Sequence, residues 1–102
     1  MRLREVAYAR SGDKGNISNI TVLPRVGTDL AWLRANLTVA RVAEHFGELV
    51  RGPVTRYDLP GIGALNFVLE EALDGGVSVS LRADPHGKSY QSLMLDLELP
   101  DR

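Results

Sequence analysis

The stretch ARSGDKGNISNI, from Ala9 to Ile20, places a polar, glycine-containing segment between two runs that are typical of β-strands. The run before it, Leu3–Arg10, is strand-like. The run after it, Ile17–Leu23, is apolar and rich in β-branched residues, and Pro24 closes it. We therefore expect the chain to open with two strands joined by a polar loop over Ser11–Asn16.

The composition limits the classes of protein that the chain can represent. A chain of 102 residues with 44% hydrophobic and 25% charged residues predicts one globular domain. A net charge of −1 argues against nucleic acid or a membrane surface as partner, and the absence of cysteine excludes disulfides and thiolate catalysis. The two histidines lack metal-ligand spacing, so we expect no metal. The glycine-containing stretches lack the P-loop ending and the third small residue of a dinucleotide fingerprint, so we expect no cofactor. With no export signal or apolar span in the sequence, we expect a cytoplasmic protein.

The remaining elements follow from the spacing of apolar residues. Thr28 and Thr38 are candidate caps of two short helices. The later elements are a strand over Pro53–Leu59, a helix through Leu65, Val68, Leu69, Ala72 and Leu73 that stops at Gly75–Gly76, and a hairpin of Val77–Arg82 with Leu93–Leu99 around an Asp84–Gly87 turn. This order predicts an α+β fold, a two-layer sandwich with a mixed sheet of about five strands, helices on one face and right-handed β-α-β crossovers.

The polar segment itself has two interpretations. In the first, the backbone N–H groups of Gly12 and Gly15 form a concave nest for an anion, with the Lys14 ammonium beside it. In the second, it is an ordinary hairpin loop in which Asp13 and Asn16 bond to their own backbone. The polar residues Ser18 and Asn19 follow at the start of a strand, where packing favours apolar side chains, and they indicate a polar network or a ligand.

A second candidate site lies where the predicted third strand meets the predicted helix. The stretch GIGALN, Gly61–Asn66, offers glycines next to a helix N-terminus, whose unpaired N–H groups and dipole favour an anion. The alternative is a tight strand-to-helix connection without a ligand.

Three stretches resemble one known family. ARSGDKGNISNI (Ala9–Ile20), EHFGELVRGPVTRYDLPGIGALNFVLEEALDGGVSVSLR (Glu44–Arg82) and GKSYQSLMLDLEL (Gly87–Leu99) are together similar to the AtuA-like ferredoxin-fold domain over nearly the whole chain. Asn16 departs from the acidic residue often seen in the family signature A-R-S-G-D-K-G-x-x-S-N-I. The resemblance implies a ferredoxin-like α+β fold. It also implies a link to catabolism of terpenoid or branched acyl-CoA compounds (acyclic terpene utilisation) through a larger AtuA-type protein, without agreed catalytic residues. The chain resembles the free-standing small form of the domain.

Three functions are compatible with these observations. The preferred hypothesis is a non-catalytic accessory subunit, alone or with a larger AtuA-type partner, that binds a CoA thioester or another anionic metabolite and forms a homo-oligomer. Its predicted ligand-binding residues are Arg10, Ser11, Gly12, Gly15, Asn16, Ser18, Asn19, Gly61, Gly63 and Asn66. The second is a stand-alone acyl-CoA hydratase or hydrolase, with Asp13 as general base and Lys14 stabilising an oxyanion. The third is a purely structural oligomerisation domain.

Overall fold

The structure, a computed structural model, describes residues 1–14, 17–72 and 88–101, with residues 13, 14, 88 and 89 described by their backbone alone. Its strands and helices are β1 (Ala7–Lys14), β2 (Ile17–Pro24), α1 (Leu30–Asn36), α2 (Val39–Phe46), β3 (Val54–Leu59), β4 (Ala64–Leu69) and α3 (Lys88–Leu95). Short 3-10 turns lie at Leu3–Glu5 and Gly47–Leu49. The fold is α+β, as predicted.

The first two strands form the expected hairpin, but β1 runs over Ala7–Lys14 and not over the predicted Leu3–Arg10, and Leu3–Glu5 form a 3-10 turn instead of the start of the strand. In the antiparallel register, Ala7 pairs with Pro24 and Lys14 pairs with Ile17. Ser11–Lys14 are therefore strand residues paired along β2, and the predicted six-residue loop over Ser11–Asn16 is wrong. The register explains the polar start of β2, because Ser18 and Asn19 point to opposite faces of the sheet.

The sheet contains four antiparallel strands in the order β1-β2-β4-β3 within the described part of the chain. The prediction of a mixed sheet of about five strands is therefore wrong for those residues. The connection from β2 to β3 carries both α1 and α2, whereas β3 and β4 are joined by a tight turn. In that turn the Ile62 and Gly63 amides donate to Leu59 O and Pro60 O over 3.1 and 3.2 Å, and Gly63 has a φ of 66°. The predicted second β-α-β crossover is thus a hairpin.

The segment predicted as a helix from Leu65 is strand β4. Leu65, Phe67 and Leu69 are buried at alternate positions, and β4 pairs with β2 on one side and β3 on the other. The apolar residues here fit both a helical and a strand spacing, and a central place in the sheet selects the strand. The predicted helix stop at Gly75–Gly76 lies outside the described residues.

The C-terminal hairpin is also a wrong prediction at Leu93–Leu99, most of which belongs to α3 and the turn that follows it. Tyr90, Met94 and Leu97 are buried at helical spacing, with exposed fractions of at most 2%. Of the alternating leucines, Leu93 and Leu95 belong to the end of α3, and Leu97 and Leu99 lie in the extended residues beyond it. In that extended stretch, Glu98 forms an isolated antiparallel β-bridge with Arg2. The predicted partner strand Val77–Arg82 and the turn Asp84–Gly87 lie outside the described residues.

The two central helices begin at capping side chains. Thr38 Oγ1 accepts a hydrogen bond from the Arg41 amide over 3.2 Å, which confirms the predicted cap of α2. The cap of α1 is Asp29, whose Oδ1 accepts from the Ala31 amide over 3.0 Å, so the prediction of Thr28 is wrong by one residue.

The core lies between one face of the sheet and the helices. The rings of Phe46 in α2 and Tyr90 in α3 meet edge to face, with centroids 5.6 Å apart, and both are buried in the same cluster as Ile20 and Phe67.

The other face of the sheet carries the side chains that alternate with the buried ones along each strand, and we call it the open face. Its described residues include Tyr8, Arg10 and Gly12 of β1, Ile17, Asn19, Thr21 and Leu23 of β2, Asn66 and Val68 of β4, and Thr55 and Tyr57 of β3.

Candidate functional site

A depression of about 370 Å³ lies on the open face over the first hairpin. It is lined by Arg10, Ser11, Gly12, Asn19, Thr21 and Leu23 of the hairpin and by Ile62 of the β3–β4 turn. The two stretches that the sequence singled out, around the polar segment and around Gly61, therefore meet in space. They meet because β2 pairs with β4, whose preceding turn lies beside the end of β2.

Among the described side chains that line the depression, Arg10 is the positively charged one. It is exposed on β1 and pairs in register with Thr21 of β2. Among the described residues, neither an ion pair nor a hydrogen bond engages its guanidinium group. A guanidinium in this state can bind a carboxylate or a phosphate through two parallel hydrogen bonds.

A row of polar residues crosses all four strands at the level of Arg10. The register pairs Arg10 with Thr21, Thr21 with Asn66, and Asn66 with Tyr57. Asn66 Nδ2 donates to Thr21 Oγ1 over 2.8 Å, which shows that these two side chains share one face of the sheet. We call Arg10, Thr21, Asn66 and Tyr57 the polar row.

The two serines among the predicted ligand-binding residues, like Asn66, have hydrogen-bond partners within the fold. The amide and hydroxyl of Ser11 both donate to Oε1 of Gln91 in α3, over 3.2 and 3.3 Å. The hydroxyl of Ser18 is fully buried and donates to the Gly12 carbonyl over 3.5 Å. Ser18 thus lies on the helix side, apart from the polar row, whereas Ser11 is bonded to the helix side and also lines the rim of the depression.

The described glycines differ from the conformations predicted for the anion sites. Gly12 is an extended strand residue paired with Asn19, and its φ lies outside the left-handed region, so Gly12 does not adopt the turn conformation of the predicted nest, while Gly15 lies outside the described residues. Gly61 and Gly63 lie in a hairpin turn and Asn66 lies within β4. No helix begins at Gly61–Asn66 in the structure, so the helix N-terminus predicted as an anion platform is wrong.

The predicted catalytic pair is described only in part. Asp13 and Lys14 are the last residues of β1 and pair with Ser18 and Ile17. Their side chains, together with Gly15 and Asn16, lie outside the described residues. Their proposed roles remain predictions.

The sequence analysis missed Thr21, Leu23 and Ile62, and it offered Tyr57 only as a residue for polar or stacking contacts beside the second candidate site. Period-two alternation in β2 contained the signal for the first two, because Asn19, Thr21 and Leu23 share one face while Ile20 and Val22 are buried on the other. The same alternation in β3 places Tyr57 opposite Arg56. No sequence pattern places Ile62 over β2, since only the pairing of distant strands brings that turn there.

A second cavity of about 400 Å³ lies on the helix side, lined by Arg41, Glu44, His45, Leu97 and Glu98. The Nε2 atom of His45 is hydrogen-bonded to the Leu93 carbonyl over 2.6 Å, which ties α2 to α3. The histidine therefore stabilises the packing of two helices. Within the described ranges, no group of three or more histidine, aspartate or glutamate residues is arranged to hold a metal.

The described residues form an α+β protein whose antiparallel sheet carries helices on one face. Residues 1–100 match the AtuA ferredoxin-like domain, and the chain belongs to that family. Neither the curated proteins nor the solved structures contain a match to this chain. Among the residues with described structure, no helix is long and apolar enough to span a membrane.

Proposed function

We propose that the chain is a non-catalytic, ligand-binding accessory subunit of an AtuA-type system in terpenoid or branched acyl-CoA catabolism. Its ligand is a CoA thioester or a closely related anionic metabolite, held on the open face. The observation that carries the proposal is the depression in which Arg10 lies beside Thr21, Leu23 and Ile62. Membership of the AtuA ferredoxin-like domain family supports the biological setting.

The chemistry of the depression suits an amphiphilic anion. Arg10 provides a guanidinium group at one end for phosphate or carboxylate oxygens, and Thr21 and Asn19 provide short polar side chains beside it. Leu23 and Ile62 provide aliphatic surface, and Ile62 leaves 66% of its surface exposed when no ligand is bound. An acyl or pantetheine chain that covers Ile62 removes this apolar surface from water.

The size of the depression favours binding over catalysis by the chain alone. A volume of about 370 Å³ is at the lower end of small-molecule sites, which span about 300–1,000 Å³. The depression holds a part of a CoA thioester and leaves the rest on the sheet surface. A larger AtuA-type protein, or a second copy of this chain, then closes the site from above.

Calorimetric titration with isovaleryl-CoA tests the proposal. We expect wild-type protein to bind and Arg10→Gln to lose more than about tenfold in affinity, because a charge-assisted contact to the phosphate is removed. Arg41→Gln is the matched control, since it removes the same charge from an exposed position of α2 on the helix side. Equal affinities for the two variants, or no binding by wild type, contradict the proposal.

Two further measurements separate the alternatives. Hydration or hydrolysis of isovaleryl-CoA by the purified chain, lost in Asp13→Asn with folding intact, contradicts the non-catalytic role and favours the enzyme. Light scattering of the chain, alone and mixed with the larger AtuA-type protein of the same organism, reports whether a homo-oligomer or a complex closes the open face.

A further inference from the structure

The polar row ends, on the side opposite Arg10, at an exposed aromatic ring. Tyr57 of β3 pairs with Asn66 and leaves 53% of its surface exposed on the open face. Adjacent strands lie about 4.8 Å apart, so Arg10 and Tyr57, three strand intervals apart, are separated by about 14 Å at the backbone. A cationic group and a flat aromatic surface thus lie at the two ends of one line across the sheet.

The middle of the row presents a hydrogen-bond acceptor next to a hydrogen-bond donor. The bond from Asn66 Nδ2 to Thr21 Oγ1 uses one amide hydrogen and one hydroxyl lone pair. Among the described residues, no other hydrogen bond engages these two side chains, so Asn66 Oδ1 and the Thr21 hydroxyl hydrogen remain available. An adjacent acceptor and donor complement the edge of a heteroaromatic ring that carries an amino group next to a ring nitrogen.

Tyr8 shows what distinguishes Tyr57 from an ordinary exposed tyrosine. Tyr8 lies on the same face, on the other edge strand, and is 52% exposed. The guanidinium group of Arg25 lies over its ring, 4.1 Å from the centroid. One face of Tyr8 is therefore already occupied by a cation, whereas within the described part of the chain no ring or cation stacks on Tyr57.

We propose that Tyr57 and Asn66 form a second subsite, which binds the adenine ring of a CoA ligand while Arg10 binds its phosphate groups. The ring stacks on Tyr57, its amino group donates to Asn66 Oδ1, and a ring nitrogen accepts from the Thr21 hydroxyl. The inference rests on the proposed function and adds to it the recognition of the nucleotide half of the ligand.

Titration of intact wild-type protein with three probes tests the subsite. The probes are CoA, adenosine 3′,5′-diphosphate, which retains the ring, and 4′-phosphopantetheine, which lacks it. We expect Tyr57→Leu to weaken CoA and adenosine 3′,5′-diphosphate about tenfold or more, because base stacking contributes on this scale, and to leave 4′-phosphopantetheine unchanged. Tyr57→Phe retains the ring and is expected to bind like wild type.

Tyr8→Leu is the matched control, and it should leave the affinity for all three probes unchanged. The subsite is overturned if Tyr57→Leu binds CoA like wild type while Arg10→Gln does not, an outcome that leaves the proposed function standing. Failure of wild type to bind any probe overturns both. NMR of wild type gives a test without variants: adenosine 3′,5′-diphosphate should shift the Tyr57 ring resonances and not those of Tyr8, and the reverse pattern refutes the subsite.

Discussion

Thr21 and Asn66, 45 residues apart in sequence, are joined by a side-chain hydrogen bond of 2.8 Å at the centre of the open face. The bond links β2 to β4 and holds the middle of the polar row between Arg10 and Tyr57. It exists because β4 is a strand that inserts between β2 and β3. A helix at the same residues, as the sequence predicts, leaves Thr21 and Asn66 apart.

Replacing Thr21 by valine tests the contribution of this bond. Valine keeps the β-branched shape and removes the acceptor, so we expect the free energy of unfolding to fall by about 1 kcal/mol. Urea denaturation of Thr21→Val, Asn66→Ala and the double variant measures the pairwise coupling. Additive effects of the two substitutions contradict a stabilising bond.

Gly52→Ala should destabilise the junction between β3 and the end of β4. The Gly52 amide donates to Glu70 O over 3.0 Å, and a Cβ atom at Gly52 meets that carbonyl oxygen at 2.8 Å. Because the obstacle is backbone, we expect a loss of about 1–3 kcal/mol in the free energy of unfolding.

Gly61→Ala is the control for this steric effect. A Cβ atom at Gly61 has no neighbour within 4 Å, and its φ lies outside the left-handed region. Chemical denaturation should therefore show a change within about 0.5 kcal/mol. Similar losses in both variants contradict the steric explanation.

The hydroxyl of Tyr90 holds α3 to the residues that follow β4. It donates to the Ala72 carbonyl, and the Leu49 carbonyl lies 3.4 Å away. Tyr90→Phe leaves these buried acceptors without the hydroxyl, and we expect a loss of about 1 kcal/mol.

Burial raises the pKa of Tyr90 above its ordinary value of 10.0. The free energy of unfolding should therefore depend on alkaline pH in wild type, and less so in Tyr90→Phe. The unfolded chain loses the phenolic proton first, so stability is fully present below pH 10.0 and declines as the pH rises through the folded pKa. Unfolding measured above that pH should show the decline in wild type and a smaller one in Tyr90→Phe. Parallel pH profiles contradict the prediction.

Asp96 should make stability depend on pH at the acid end. The hydrogen bond from Arg4 lowers the pKa of its carboxyl below the ordinary value of 3.8, against the opposing effect of desolvation, and the charges of Arg4, Arg2 and His45 lower it further. A lowered pKa in the folded state means that the contribution is present above pH 3.8 and is lost as the pH falls through the folded value. Asp96→Asn should lack this component of the acid unfolding curve.

Salt provides the control for the Asp96 prediction. The Asp96 side chain is 43% exposed in its pair with Arg4, so salt screens this interaction. At about 1 M salt, where the Debye length is about 3 Å, the difference in the free energy of unfolding between wild type and Asp96→Asn should become smaller. A difference that is independent of salt contradicts an electrostatic origin.

The sequence by itself determined the α+β class, the family, the first hairpin, the caps and spacing of α2, and the two stretches that meet in the site. These features depend on interactions between residues that are close in sequence, such as the alternation in β2 or the cap of α2 by Thr38. The order of the residues is therefore enough to predict them. The tertiary structure alone decided that Ala64–Leu69 is a strand and that α3 replaces the end of a predicted hairpin. Both are short apolar segments whose leucines satisfy two periods at once, and only pairing with β2 and β3, or packing against β1 and Phe46, selects one. The polar row has the same origin, because its four residues lie on four strands and the strand register alone brings them into line.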